Sequence, residues 1–248
     1  MPQATCRPGA DGLGCAPWAP AAPLASACLL HAPRGQGQRA VGMKPVDSGC
    51  IDTADGWRNE DALLLQQAGS PGPAYADINP YAFVQPLAPE LAAAEDGIEL
   101  ALEPILRAYT RLSRQAEAVV VEGGGGWAAP LSASLDQIDL VRALDLPVLL
   151  VIGLRLGCIN HARLAARAIA ADGARLAGWI ASDVDPAMDR PDANFALLQS
   201  RLDAPCWGRL PFRAPPDPEL LADSLHLPRW PHQPPRTSGT GTCGEQGM

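Results

Sequence analysis

From residue 39 to residue 211 this chain repeats one pattern, and that pattern leaves few folds open. A short apolar run ends on polar residues, and a helix-like stretch follows. The runs cover residues 39–43, 118–121, 146–153, 176–181 and 206–211. They are continuous rather than alternating, the habit of strands buried on both faces of a parallel sheet. Between two of them, Ile98, Leu102, Ile105, Leu106, Tyr109 and Leu112 recur on one helical face. Helices are also expected at about 58–66, 134–144, 161–172, 190–202 and 218–225, with Asn160 as an N-cap for the fourth of the six. No hairpin signal separates strand from helix. The order predicts an α/β fold, a doubly wound and mostly parallel sheet with helices on both faces.

Both ends read differently. Residues 1–33 hold six prolines (2, 8, 17, 20, 23 and 33) and no period of two or 3.6. Proline should break a long helix there, leaving 28–31 as the end of a short one. The tail, residues 228–248, is rich in Pro, Gly, Ser and Thr and reads as disordered. The expected domain is therefore 34–227.

Parallel strands place their C-terminal ends on one edge, where open α/β sheets bind ligands. Four such ends carry polar groups: Lys44 with Ser48, Glu122 with Gly123, Gly124, Gly125 and Gly126, the loop from Gly153 to His161, and Ser182 with Asp183. Lys44 stands apart by composition. Of 19 basic side chains 18 are arginine, so it is the only lysine. Arginine is a planar fork and lysine a compact point charge, so an ammonium at that position is not interchangeable. Pro45 holds Lys44 extended at the strand's exit. Mg²⁺ prefers one or two carboxylates with ligand oxygens, and Asp61 and Glu122 suit it.

These residues resemble a known family. Lys44-Pro45-Val46-x-Ser48-Gly49, then Arg58-Asn59-x-Asp61-Ala62 and Asn79-Pro80-Tyr81-x-Phe83, are similar to dethiobiotin synthetase. So are Val121-Glu122-Gly123-x-Gly125-Gly126-Trp127-x-x-Pro130-Leu131, Gly153-Leu-x-Leu156-Gly157-Cys158-Ile159-Asn160-His161 and Leu176-Ala177-Gly178-Trp179. The resemblance covers residues 34–225, in order. It implies a P-loop NTPase-like fold and an ATP- and Mg²⁺-dependent ring closure in biotin synthesis. CO₂ and 7,8-diaminononanoate form a carbamate, which is phosphorylated and closes to dethiobiotin. Lys44 would be catalytic, and Asp61 and Glu122 would bind the metal. Glu122 to Gly125 would lie beside ATP. Ser182, Asp183, Pro211, Phe212 and Arg213 would contact adenine. Ser48 would touch substrate, and Leu156, Gly157 and Asn160 would serve substrate at a two-fold interface of a homodimer. His161 reads as structural.

The family opens with a strand and a phosphate loop, G-x-x-x-x-G-K-[ST]. This chain has neither, and with Lys44 its only lysine it holds no second one for such a loop. Gly9 to Gly14 bears glycines, but no Lys-Ser or Lys-Thr follows. Residues 1–27 have the composition of an out-of-frame reading of GC-rich sequence. Smaller departures are Glu90 in place of a histidine and Ser182 in place of an asparagine. The alternative expectation is a catalytically inactive relative, or a frameshifted product, without tight ATP binding.

Several classes are excluded. The net charge of −8 argues against a nucleic-acid surface. No run approaches the ~18 apolar residues of a membrane span. Seven cysteines, an odd number without C-x-x-C spacing, argue against a disulfide framework and for a reducing cytoplasm.

Overall fold

The computed structural model describes residues 21–228, so Gly9 to Gly14 and the tail expectation for 229–248 lie outside it. In chain order the elements are α1 (Ala21–Arg34), β1 (Ala40–Met43), β2 (Val46–Asp47), β3 (Ile51–Thr53), β4 (Gly56–Arg58), α2 (Glu60–Ala68), α3 (Tyr75–Ile78), β5 (Tyr81–Ala82), α4 (Pro89–Glu95), α5 (Leu102–Ser113) and β6 (Ala118–Val121). There follow β7 (Pro130–Ser132), β8 (Leu135–Asp136), α6 (Gln137–Leu144), β9 (Val148–Leu154), α7 (Cys158–Ala171), β10 (Leu176–Asp183), α8 (Pro191–Arg201), β11 (Cys206–Leu210) and α9 (Pro218–Leu221), which runs into a 3₁₀ turn.

The five expected strands form and pair in parallel. β1 pairs with β6, in register from Ala40↔Ala118 to Met43↔Val121. β9, β10 and β11 form a second parallel group with β10 central. Both faces are covered, as alternation dictates. On β6, Ala118 and Val120 pack with α1, while Val119 and Val121 pack with Ile105 and Leu112 of α5. On β9, Leu149 and Val151 face the α1 side, and Leu150, Ile152 and Leu154 join Cys158 and Ala162 of α7.

The expected single sheet is divided. Among the described residues no pairing joins β6 to β9, although α1 packs against both. Among the described residues no further strand supplies the hydrogen bonds that would tie the two groups together.

The N-terminal expectation is also corrected. α1 is a continuous helix of 14 residues, and Leu24, Ala25, Ala27, Cys28, Leu29 and Leu30 are all buried in the core. Pro23 falls in the first turn, where a missing N–H removes no intrahelical bond. Pro33 comes one residue before the helix ends. The packed unit thus takes in residues 21–33, ahead of the boundary expected at 34.

Other differences are local. Two short antiparallel hairpins exist, β3–β4 and β7–β8, with arms of two or three residues, too short for alternation to show. α6 starts at Gln137, and its capping box joins Asp136 and Asp139. α5 starts at Leu102, leaving Ile98 exposed. α7 starts at Cys158, with Gly157 at φ +93° as its N-cap. Asn160 lies inside the first turn, since a glycine in the left-handed region turns the chain three residues before the expected cap.

Candidate active site

Lys44 leaves β1 between two backbone anchors. Its N–H donates to the Ile78 carbonyl at 2.7 Å, and Asn79 Nδ2 donates to its carbonyl at 2.8 Å. Glu122 is fixed beside it, because its own N–H donates to Met43 O at 2.8 Å. Asp61 comes from the first turn of α2. Buried Asn59 caps that helix, its Oδ1 accepting from Asp61 N at 2.8 Å and Ala62 N at 3.2 Å. The Asn59 amide in turn donates to Ser48 O at 3.2 Å.

These elements converge on one ammonium. Lys44 Nζ stands 2.6 Å from Glu122 Oε1, 3.0 Å from Asp61 Oδ2 and 3.6 Å from Asp47 Oδ2. Lys44 and Glu122 are each 4% exposed. Burial opposes the charge on Lys44, but Glu122, Asp47 and Asp61 outweigh it and hold the ammonium above its usual range. Burial raises the Glu122 carboxyl, and Lys44 only partly offsets that. Ser26 of α1 also lowers it, although no hydrogen bond of ordinary geometry reaches Glu122 Oε2. That oxygen and Asp47 Oδ2 are both buried without a hydrogen-bond partner. A carboxylate oxygen left this way carries an uncompensated desolvation cost.

The glycine loop follows Glu122. Gly125 and Gly126 take φ of +72° and +108°. A Cβ on Gly123 would stand 2.8 Å from the amide of Gln137, the first residue of α6. Trp127 Nε1 donates to Asp172 Oδ2 at 2.7 Å, tying the loop's far end to the end of α7.

The remaining expected residues lie apart from this cluster. Ser48 is nearest; its Oγ donates to Leu87 O at 2.7 Å. Ser182 is buried on β10 in register with Gly153. Arg209 Nε donates to both Asp183 oxygens, at 3.0 and 3.1 Å. Pro211, Phe212 and Arg213 are exposed after β11, and Gly157 and Asn160 are exposed at the start of α7. Leu156 is 96% exposed. None of these is bonded to Lys44, Asp61 or Glu122.

Sequence reasoning missed Asp47, Asn59 and Ser26. The signal for Asp47 was its place three residues after the only lysine. The signal for Asn59 was its place two residues before Asp61, at a helix start.

The chain is an α/β domain with a buried cation and carboxylates at its strand ends, and the family model described as an AAA domain matches residues 23–219. Curated relatives sharpen this. The ATP-dependent dethiobiotin synthetase BioD of Xanthomonas euvesicatoria is 63% identical over 206 residues, 83% of this chain and 92% of the relative. The one from Xylella fastidiosa is 59% identical over 202 residues, 81% of this chain and 89% of the relative. The chain belongs to the dethiobiotin synthetase family. The family match begins at residue 23, inside α1, which agrees with the packing of that helix.

Proposed function

We propose that this chain catalyses the ATP-dependent carboxylation and ring closure of 7,8-diaminononanoate with CO₂, giving dethiobiotin. The observation that carries this is Lys44, a buried ammonium held at the strand edge by acids from three separate segments. One amine of the substrate attacks CO₂ and loses a proton, giving a carbamate. A carbamate oxygen takes the γ-phosphoryl of ATP, releasing ADP. The second amine then attacks the activated carbonyl, and phosphate leaves.

Lys44 supplies a fixed positive charge for the carbamate and for the phosphoryl in flight, where water is excluded. Asp61 and Glu122 hold Mg²⁺. The donor set fits it: hard carboxylate oxygens, one of them the orphaned Oε2 of Glu122. When bound, the metal neutralises phosphate charge. The backbone from Glu122 to Gly125 lies beside ATP, and Ser182, Asp183, Pro211, Phe212 and Arg213 surround the base. Ser48 meets the substrate. Leu156, Gly157 and Asn160 complete the partner's substrate site in a homodimer. Exposed Leu156 and Leu164 give α7 and its leading loop an apolar surface that supports such an interface.

The test is ADP release with and without the diamine and bicarbonate. Release that needs both supports the reading. Release indifferent to the diamine, or unchanged in Lys44→Arg, ends it. Sedimentation tests the dimer: wild type should be dimeric and Leu156→Asp monomeric.

A second reading, an inactive relative, is favoured by one fact: no lysine besides Lys44 is present to meet ATP phosphates. It predicts weak Mg-ATP binding by calorimetry. Affinity in the usual range for an ATP-dependent enzyme rules it out.

A further inference from the structure

Lys44 and Asp61 reach the site on separate supports, and one hydroxyl joins those supports. Lys44 leaves β1 with its carbonyl held by Asn79 Nδ2 at 2.8 Å. Asp61 stands in the first turn of α2, whose cap is Asn59. Between the two asparagines lies the hydroxyl of Tyr75, the first residue of α3. It accepts from Asn59 N at 2.7 Å and donates to Asn79 Oδ1 at 3.1 Å.

The polarity of this relay is fixed. A backbone N–H only donates, so the hydroxyl accepts from Asn59, and its own proton is left for Asn79 Oδ1. That bond settles which way the Asn79 amide faces. Its Nδ2 then donates to Lys44 O and, at 3.1 Å, to Tyr81 O. Both asparagines are buried, so loss of the hydroxyl would leave a donor and an acceptor dry and unpaired. Burial raises the phenol's pKa above its usual value, which keeps it a neutral donor. The ring and its helix are held from outside as well. The Arg58 guanidinium lies 4.3 Å over the ring centroid, and Arg111 Nε on α5 donates to Asp77 Oδ1 of α3 at 2.7 Å.

We infer that Tyr75 is a positioning residue for this site: its hydroxyl locks the α2 cap that presents Asp61 to the strand exit that presents Lys44. The ammonium and the carboxylate thereby keep their 3.0 Å spacing, although Tyr75 bonds to neither side chain. The same link reaches Ser48, whose carbonyl accepts from Asn59 Nδ2 at 3.2 Å. The consequence for turnover rests on the catalytic role proposed above for Lys44. The link itself does not.

The test compares full-length wild type, Tyr75→Phe and Leu198→Ala. Tyr75→Phe keeps the ring under Arg58 and removes only the hydroxyl. Leu198→Ala opens the buried core beneath α8 instead, as a measure of what lost stability alone does. With ¹³C at lysine Cε, each protein shows one side-chain resonance, because Lys44 is the only lysine. Tyr75→Phe should shift that resonance and lower kcat about tenfold, with KM for ATP and for the diamine within about twofold of wild type, as expected of misplaced rather than missing groups. Leu198→Ala should melt earlier and change neither the resonance nor kcat. An unmoved resonance in Tyr75→Phe overturns the inference, whatever kcat does. A kcat equal to wild type, or the same shift and the same loss in Leu198→Ala, also overturns it. If Tyr75→Phe does not fold, amide exchange in wild type decides: a protected Asn59 N–H supports the link, and exchange at the free-peptide rate ends it. If wild type itself shows no diamine-dependent ADP release, the proposed function has failed, and the resonance alone then judges the link.

Discussion

Lys44 Nζ donates to Glu122 Oε1 at 2.6 Å, joining residues 78 apart in the chain. Both partners are buried, so this bond joins the ends of β1 and β6 as well as two charges. Removing one member leaves the other charged and dry, which typically costs about 3–5 kcal/mol. Lys44→Met should therefore lower unfolding free energy by roughly 3 kcal/mol in urea at neutral pH. A loss under about 1 kcal/mol would mean that the carboxylates reach water or protonate at little cost. Lys44→Arg should fold better than Lys44→Met, since it keeps the charge, yet lose activity, since a planar fork replaces a point charge.

Asn59 links helix formation to the site. Its Oδ1 caps α2 through Asp61 N and Ala62 N, and the same turn presents Asp61 to Lys44. Asn59→Ala should cost about 1–2 kcal/mol, the upper range for a cap, because the position is buried. Asn59→Ser should restore part of it. Thermal melts of the three proteins decide this. Equal melting temperatures would show the first turn of α2 to be held by packing alone.

Cys28 tests whether α1 is packed as described. Burial pushes its thiol from 9.0 up to about 12. A folded pKa above the unfolded one gives stability that is complete below pH 9 and lost as pH rises towards 12. Wild type should therefore lose stability over that interval more steeply than Cys28→Ala, which lacks the titrating group. Below pH 9 the native thiol should react slowly with a disulfide reagent, because it is buried and un-ionised. Parallel alkaline limbs for the two proteins, or rapid modification at pH 7.5, would refute the burial of this helix face.

The legible parts of this chain are those where one residue carries its own reason. The β6 strand shows as an unbroken apolar run because both of its faces are covered, and Lys44 shows because it is the only lysine. α1 was hidden for the opposite reason. Its prolines argue against a helix unless their positions within the turns are known, and those depend on where the helix begins. Asp47 was hidden because one acid near a lysine resembles any surface pair. Only β6 folding back beside β1 brings Glu122 close enough to make Asp47 one of three acids. The division of the sheet has its signal in the missing opening strand, since pairing between β6 and β9 is set by what lies between them and not by their own residues.

The glycine loop after Glu122 gives a final expectation. Gly123 lies directly beside the carboxylate and against Gln137, and an added Cβ would meet the Gln137 amide at 2.8 Å. Gln137 is itself buried at the start of α6, so it has little room to turn away. The clash should resolve by moving the loop, which has no helix or strand to hold it. Overpacking of this kind costs about 1–3 kcal/mol, and Gly123→Ala should fall at the low end. Its effect on turnover should be larger, since the displaced residue adjoins Glu122, and misplacement of about 1 Å near reacting groups can cost a hundredfold. Gly126→Ala separates geometry from space. A Cβ there meets nothing within 4 Å, but φ is +108°, so its cost is backbone strain at the loop's far end. Assayed side by side, Gly123→Ala should lose more turnover and Gly126→Ala should lose more stability. The reverse order would place the working part of the loop at Gly126.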